Sequence, residues 1–136
     1  MSNFENSLNQ YGLHDTTVSN VVLEHDGILF EFKSGVYFLE SNGRKANKTA
    51  ACHMKIYIDN FDINSMHQHV EIKKIRKSKI IEIEFKVFLK FLEKKDFKIY
   101  LDYYSFFAKS ILLNGFLGNF EIELKITEIE KITFDF

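Results

Sequence analysis

Hydrophobic and polar positions alternate along most of this chain, and the alternation sets the first expectations. The clearest case is Ala50 to Asp59: Ala50, Cys52, Met54, Ile56 and Ile58 fall on one side, and Ala51, His53, Lys55, Tyr57 and Asp59 on the other. A repeat of two is the signature of a strand with one buried face. Further strands are expected over Thr17–Glu24, Ile28–Lys33, Val36–Ser41, His67–Ile75, Ile80–Phe85, Phe97–Tyr104, Ser110–Leu113, Asn119–Thr127 and Glu130–Asp135. Turn signals separate them. Asp26-Gly27 predicts a hairpin in which both turn residues take positive φ, Ser34-Gly35 and Lys77-Ser78 predict two more turns, Asn42–Lys48 reads as a loop, and Asn114–Gly118 supplies a late turn. Ile75 is out of step with Val70 and Ile72, which predicts a bulge near Lys73-Lys74.

One stretch breaks the pattern. Phe85, Phe88, Leu89 and Leu92 recur at helical spacing, and Lys94 and Lys95 would complement a helix C-terminus, so a short helix is expected over 86–94. A helical turn is also expected from Asn3 to Leu8, within a polar lead-in covering residues 1–16. The sum is a mainly β fold, an antiparallel sandwich or barrel of about nine strands with one short helix. Residues 1–136 read as a single complete domain, a size at which one core suffices without metal or disulfide.

Composition narrows the class. Hydrophobic residues are 46% and charged residues 27%, which is globular and not disordered. Aromatics reach 15%, mostly from 15 Phe, with no Trp and no Pro. Plentiful Ile, Lys, Asn and Phe with scarce Arg fit AT-rich codons and a low-GC bacterial source. A single cysteine, Cys52, on an apolar strand face reads as inert packing and fits a reducing compartment. Met1–Asn9 has no basic start and apolar stretch of a secretory signal, and no run is long enough to span a bilayer. The expectation is a cytoplasmic protein with no membrane partner.

Net charge is −1, but it is unevenly placed: residues 1–32 hold five acids and no Lys or Arg, whereas residues 33–98 carry fifteen basic and eight acidic residues. Lys73, Lys74, Arg76, Lys77 and Lys79 form a basic run. No aromatics interleave the run and lysine predominates, so it reads as a solvated hairpin or a protein-binding face, not a nucleic-acid reader. On the expected strand 97–104, Tyr100, Asp102 and Tyr104 share a polar face opposite Phe97, Ile99, Leu101 and Tyr103. Tyrosine offers area with a polar tip, a combination suited to protein recognition.

Metal chemistry has one candidate. On a strand, His67, His69 and Glu71 would point the same way, with His53 as a fourth donor from a neighbouring strand. Two His and a carboxylate serve catalytic zinc and non-haem iron. A metal-dependent enzyme using His67 and His69 is therefore the lowest-ranked reading. His14-Asp15 precedes a strand and reads as turn chemistry. No phosphate loop, G-x-S-x-G, CxxC or HExxH motif occurs, and no cofactor is implied.

Two stretches carry a resemblance. Leu13-His14-Asp15-Thr16-Thr17-Val18 leading into Gly27-Ile28-Leu29-Phe30, and Asp102-Tyr103-Tyr104-Ser105-Phe106-Phe107-Ala108 leading to Leu113-Asn114-Gly115, resemble small β-rich domains of Gram-positive bacteria. Some of those resemble the immunity proteins of polymorphic toxin systems. The resemblance implies a stoichiometric binder that neutralises a toxin, with no catalytic residues. The leading expectation is thus a non-enzymatic protein-binding domain. The alternative is a small-ligand β-barrel with an aromatic-lined cavity, and unpaired edge strands would allow a homodimer.

Overall fold

The computed structural model describes residues 8–136. It is 57% strand and 13% helix, with 13 strands in three antiparallel sheets that do not close into a barrel. The sandwich alternative holds, and the barrel is corrected.

The larger sheet has six strands in the order β2 (Thr16–Val18), β10 (Phe97–Ser105), β11 (Ser110–Leu117), β12 (Phe120–Ile126), β8 (Val70–Arg76) and β9 (Lys79–Ile83). A four-stranded sheet runs β13 (Ile129–Asp135), β7 (Cys52–Ile58), β4 (Gly27–Phe32), β3 (Asn20–Glu24). A small sheet joins β1 (Tyr11–Gly12), β5 (Tyr37–Leu39) and β6 (Lys45–Lys48). The buried rows of the two main sheets form one core: Phe30, Met54, Ile56 and Ile132 from the smaller, Ile72, Ile99, Leu113 and Leu124 from the larger. Alternation on β7 is as expected, with Cys52, Met54, Ile56 and Ile58 all buried. Each such side chain contributes roughly 1.5–3 kcal/mol of transfer free energy.

Helix α1 (Phe85–Leu92) buries Phe85, Phe88 and Leu92, close to the expected span. The ring of Phe88 meets that of Phe97 edge to face at 5.7 Å, tying the helix to the start of β10. A 3-10 turn over Ile63–Gln68 is the other helical segment of note. The helical turn expected over Asn3–Leu8 lies outside the described residues apart from Leu8, which is helical with Asn9 and Gln10.

Five expectations are corrected. The strand expected over Thr17–Glu24 is two strands in different sheets. Its break is Ser19, whose backbone N–H and hydroxyl both donate to the Glu31 carbonyl as the chain crosses over. The loop expected at Asn42–Lys48 contains β6. Asp26-Gly27 is not a positive-φ pair: Glu24 pairs with Gly27 around His25-Asp26, and neither Asp26 nor Gly27 has positive φ. Gly27 is required for closeness instead, since a Cβ there would lie 2.1 Å from the Ile56 carbonyl oxygen. β8 has no bulge: its register with β12 is continuous from Val70 to Ile75, so Ile75 simply faces outward with Glu121. The late turn sits at Gly118-Asn119, and Asn114 and Gly115 are inside β11.

Candidate functional site

The decisive local feature is in β10. Ile99 pairs with Gly115 but Leu101 pairs with Asn114, so Tyr100 is the extra residue of a β-bulge. One inserted residue reverses which side chains face the core. Before it, Phe97 and Ile99 are buried; after it, Asp102 stands beside buried Leu113 and Tyr104 beside buried Ile111. The expected shared face of Tyr100, Asp102 and Tyr104 is therefore corrected: Tyr100 is outward, and Asp102 and Tyr104 are on the core side.

Gly115 sits where this reversal begins. A Cβ there would approach the Lys98 carbonyl oxygen to 2.3 Å and the Phe97 ring to 2.5 Å. Burial pushes the Asp102 carboxyl above the usual aspartate range, with the charge of His14 acting in the other direction. The Tyr104 hydroxyl donates to Asn9 Oδ1 at 3.0 Å.

Leu101 and Tyr103 become the exposed pair. With Phe116 and Leu112 of β11 they form an apolar strip on the outer face of the six-stranded sheet. Tyr100 closes one side of it: its ring lies 5.1 Å from that of Phe116, and its hydroxyl donates to Glu121 Oε2 at 2.8 Å. That hydrogen bond, to a carboxylate, holds the phenol above its ordinary range.

The strip continues into the β10–β11 turn. Ser105 pairs with Ser110, and the turn is closed by the Ala108 N–H donating to Ser105 Oγ at 3.1 Å. It presents Phe106 and Phe107, rings edge to face at 5.9 Å, with Phe107 96% exposed. Of the eleven large exposed hydrophobic residues among those described, five belong to this one hairpin. Contiguous apolar exposure of this kind marks an interaction site.

The basic run is split by the pleat. Lys73 faces outward and is neutralised by Glu71 at 3.2 Å and Glu123 at 3.8 Å, the first of which holds its ammonium above the usual lysine range. Lys74, one residue on, faces the α1 side beside Ile122. Arg76 pairs with Lys79 at the end of the hairpin, and Lys77 and Ser78 form the turn with φ of 49° and 67°. The five basic residues of the run are thus on two faces and a turn.

The metal candidates are also apart. His67 lies in the 3-10 turn, not on a strand, because Asp62 caps the turn through Asn64 N–H at 2.9 Å. His69, 4% exposed, is a structural pin: its Nε2 accepts from Asp62 N–H at 3.3 Å, and its Nδ1 faces Glu128 Oε1 at 3.5 Å. Glu71 reaches Lys73, and His53 is on the outer face of the four-stranded sheet, 3.6 Å from Glu31. Among the described residues no three His, Cys, Asp or Glu side chains converge on a common point. Cys52 is buried, and burial pushes its thiol upward, away from the reactive thiolate.

Elsewhere on the four-stranded sheet, Lys55 bridges Glu24 at 2.8 Å and Asp26 at 2.6 Å. Burial works against its charge, yet these hydrogen bonds push its ammonium up to about 12. An open cleft of about 730 Å³ lies between α1, the 3-10 turn and β9, with Leu23, Met66, Ile83 and Leu89 among its walls. It is a groove at the sandwich edge, not the enclosed barrel cavity expected. No helix is long and apolar enough to cross a membrane. No family model, curated protein or solved structure matches this chain.

Proposed function

We propose that this protein is a non-enzymatic binding module that docks another protein on the β10–β11 hairpin. The observation that carries the reading is the exposed aromatic strip that runs from Phe116 through Tyr103 to Phe106 and Phe107. Interface energy concentrates in a few large anchors, aromatics foremost, and a fully exposed Phe on a short, hydrogen-bonded turn is preorganised to fill a pocket. The resemblance to immunity proteins fits this reading, with the partner a toxin and the complex stoichiometric and cytoplasmic.

The test is site-specific photo-crosslinking in the source cell, with a benzophenone amino acid at position 107 and, as control, at position 133 on the other sheet. A discrete adduct at 107 that is absent at 133 and lost when F106S is added to the probe-bearing chain supports the proposal. No adduct, or equal adducts at both positions, overturns it.

A second reading rests on β9, an edge strand with Ile80 64% and Ile81 56% exposed. Unpaired backbone groups flanked by isoleucines favour strand-to-strand pairing of two copies. Sedimentation that gives a dimer, reduced to monomer by I80K, would support it.

A further inference from the structure

The end of the six-stranded sheet remote from Phe107 brings together groups that the sequence keeps far apart. Phe91, in the last turn of α1, meets Phe120, which opens β12, edge to face at 5.0 Å. The ammonium of Lys74 stands 4.7 Å from the Phe120 ring centre and 5.6 Å from that of Phe91. Lys94 and Lys95 follow α1 and, with the Gly118-Asn119 turn, wall a groove of about 670 Å³ over the two rings. The stem of Lys95 passes over that turn, 3.8 Å from where a Gly118 Cβ would be. Arg76 follows Ile75, which pairs with Glu121 where β8 meets the start of β12.

The charge here is uncompensated. Lys45, Lys55, Lys73 and Lys86 take part in ion pairs among the described residues, but Lys74, Arg76, Lys94 and Lys95 do not. Glu93 and Asp96 flank the lysine pair without reaching it, and Glu121 is engaged by Tyr100. Several free ammonium groups around an aromatic floor suit a ligand with a flat ring and a phosphate. An aliphatic acidic chain would satisfy the lysines and leave the rings unused.

We propose that this groove binds a nucleotide unit, with the base against Phe91 and Phe120 and the phosphate on Lys74, Lys94 and Lys95. Lysine holds phosphate as a point charge, and base-on-aromatic contact accepts any base, so binding is tolerant of sequence. The unit can be a free nucleotide or part of a single strand. This site is independent of the aromatic hairpin tip.

Fluorescence anisotropy with a labelled oligothymidylate of about ten nucleotides at about 50 mM salt tests it. Parallel amide NMR titrations with ATP and with poly-glutamate complete the set. Binding of the strand should weaken as salt rises and fall at least tenfold in K94E/K95E. It should fall about fivefold or more in F120L, a variant confirmed as folded by circular dichroism, and stay unchanged in F107S. Saturation by ATP at the same amides identifies the free nucleotide as sufficient, whereas response to the oligomer alone identifies the strand; either supports the site. The proposal is overturned if neither binds, or if poly-glutamate competes equally and F120L is unaffected.

Discussion

The two ends of the six-stranded sheet use the same side chain, phenylalanine, for opposite purposes. At the α1 end, Phe85, Phe88 and Phe97 are buried and interlocked, and the lysines around them stay in solvent. At the β10–β11 turn, Phe106 and Phe107 meet edge to face at 5.9 Å, and Phe107 is almost wholly exposed. The seven steps from Ser110 to Leu117 along β11, at about 3.4 Å each, separate the ends by about 24 Å. Aromatic content therefore says little by itself about where a core ends. What divides the rings is whether a second element covers them, and α1 covers only one end.

The sharpest way to test that division is to truncate a ring at the covered end. Phe88→Ala should cost about 3–5 kcal/mol in urea unfolding, since it leaves a cavity between α1 and β10. A cost under about 1 kcal/mol would mean that α1 is not anchored as described.

Asp102 probes the middle of the same hairpin. Its folded carboxyl titrates above its unfolded value because burial disfavours the charge. The folded state then binds the proton more tightly, so stability rises as pH falls from the folded value towards the unfolded one, about 3.9, and levels off below it. Asp102→Asn should remove that slope and raise neutral-pH stability by about 1 kcal/mol. Thermal melts across pH 4 to 8 check both; an Asn variant that is less stable at neutral pH would place Asp102 in water.

A smaller gain is expected at the basic end. Ser78 holds a φ of 67° in its turn, a conformation that glycine adopts without penalty. Ser78→Gly should stabilise by about 0.5 kcal/mol in the same denaturation assay. The smallest effect belongs to the exposed tip. F106S/F107S should change stability by less than about 0.5 kcal/mol, and F106S alone should abolish the crosslink from position 107. A large loss of stability would show that the rings are structural after all.

Much of this fold was legible where polarity contrasts are strong. β7 alternates cleanly because Cys52, Met54, Ile56 and Ile58 face oil and His53, Lys55 and Tyr57 do not. The α1 stripe was legible for the same reason. β10 was not, because tyrosines fall on both sides after Ile99 and its one carboxylate, Asp102, is the residue that turns inward, so nothing in Tyr100-Leu101-Asp102-Tyr103-Tyr104 signals an inserted residue. The signal available was Gly115 across the strand, a residue without Cβ inside an apolar run, which marks close backbone approach.

His67 was misplaced because the cap that makes its turn helical, Asp62, lies before the stretch read as strand. The basic groove was invisible for a different reason: Lys74, Phe91 and Phe120 are distant in sequence and meet only once α1 folds back. The aromatics missing from the lysine run are supplied by two other elements.

The bulge at Tyr100 carries the account, because it alone turns Leu101 and Tyr103 outward and Asp102 inward. Chains with one added cysteine at 101, 102 or 103, reacted with a thiol-specific chromogenic reagent while buried Cys52 stays silent, measure it directly. Fast labelling at 101 and 103 with protection at 102 is the expected pattern. Fast labelling at 102 with protection at 101 and 103 would mean a regular strand, and the aromatic docking strip would not exist.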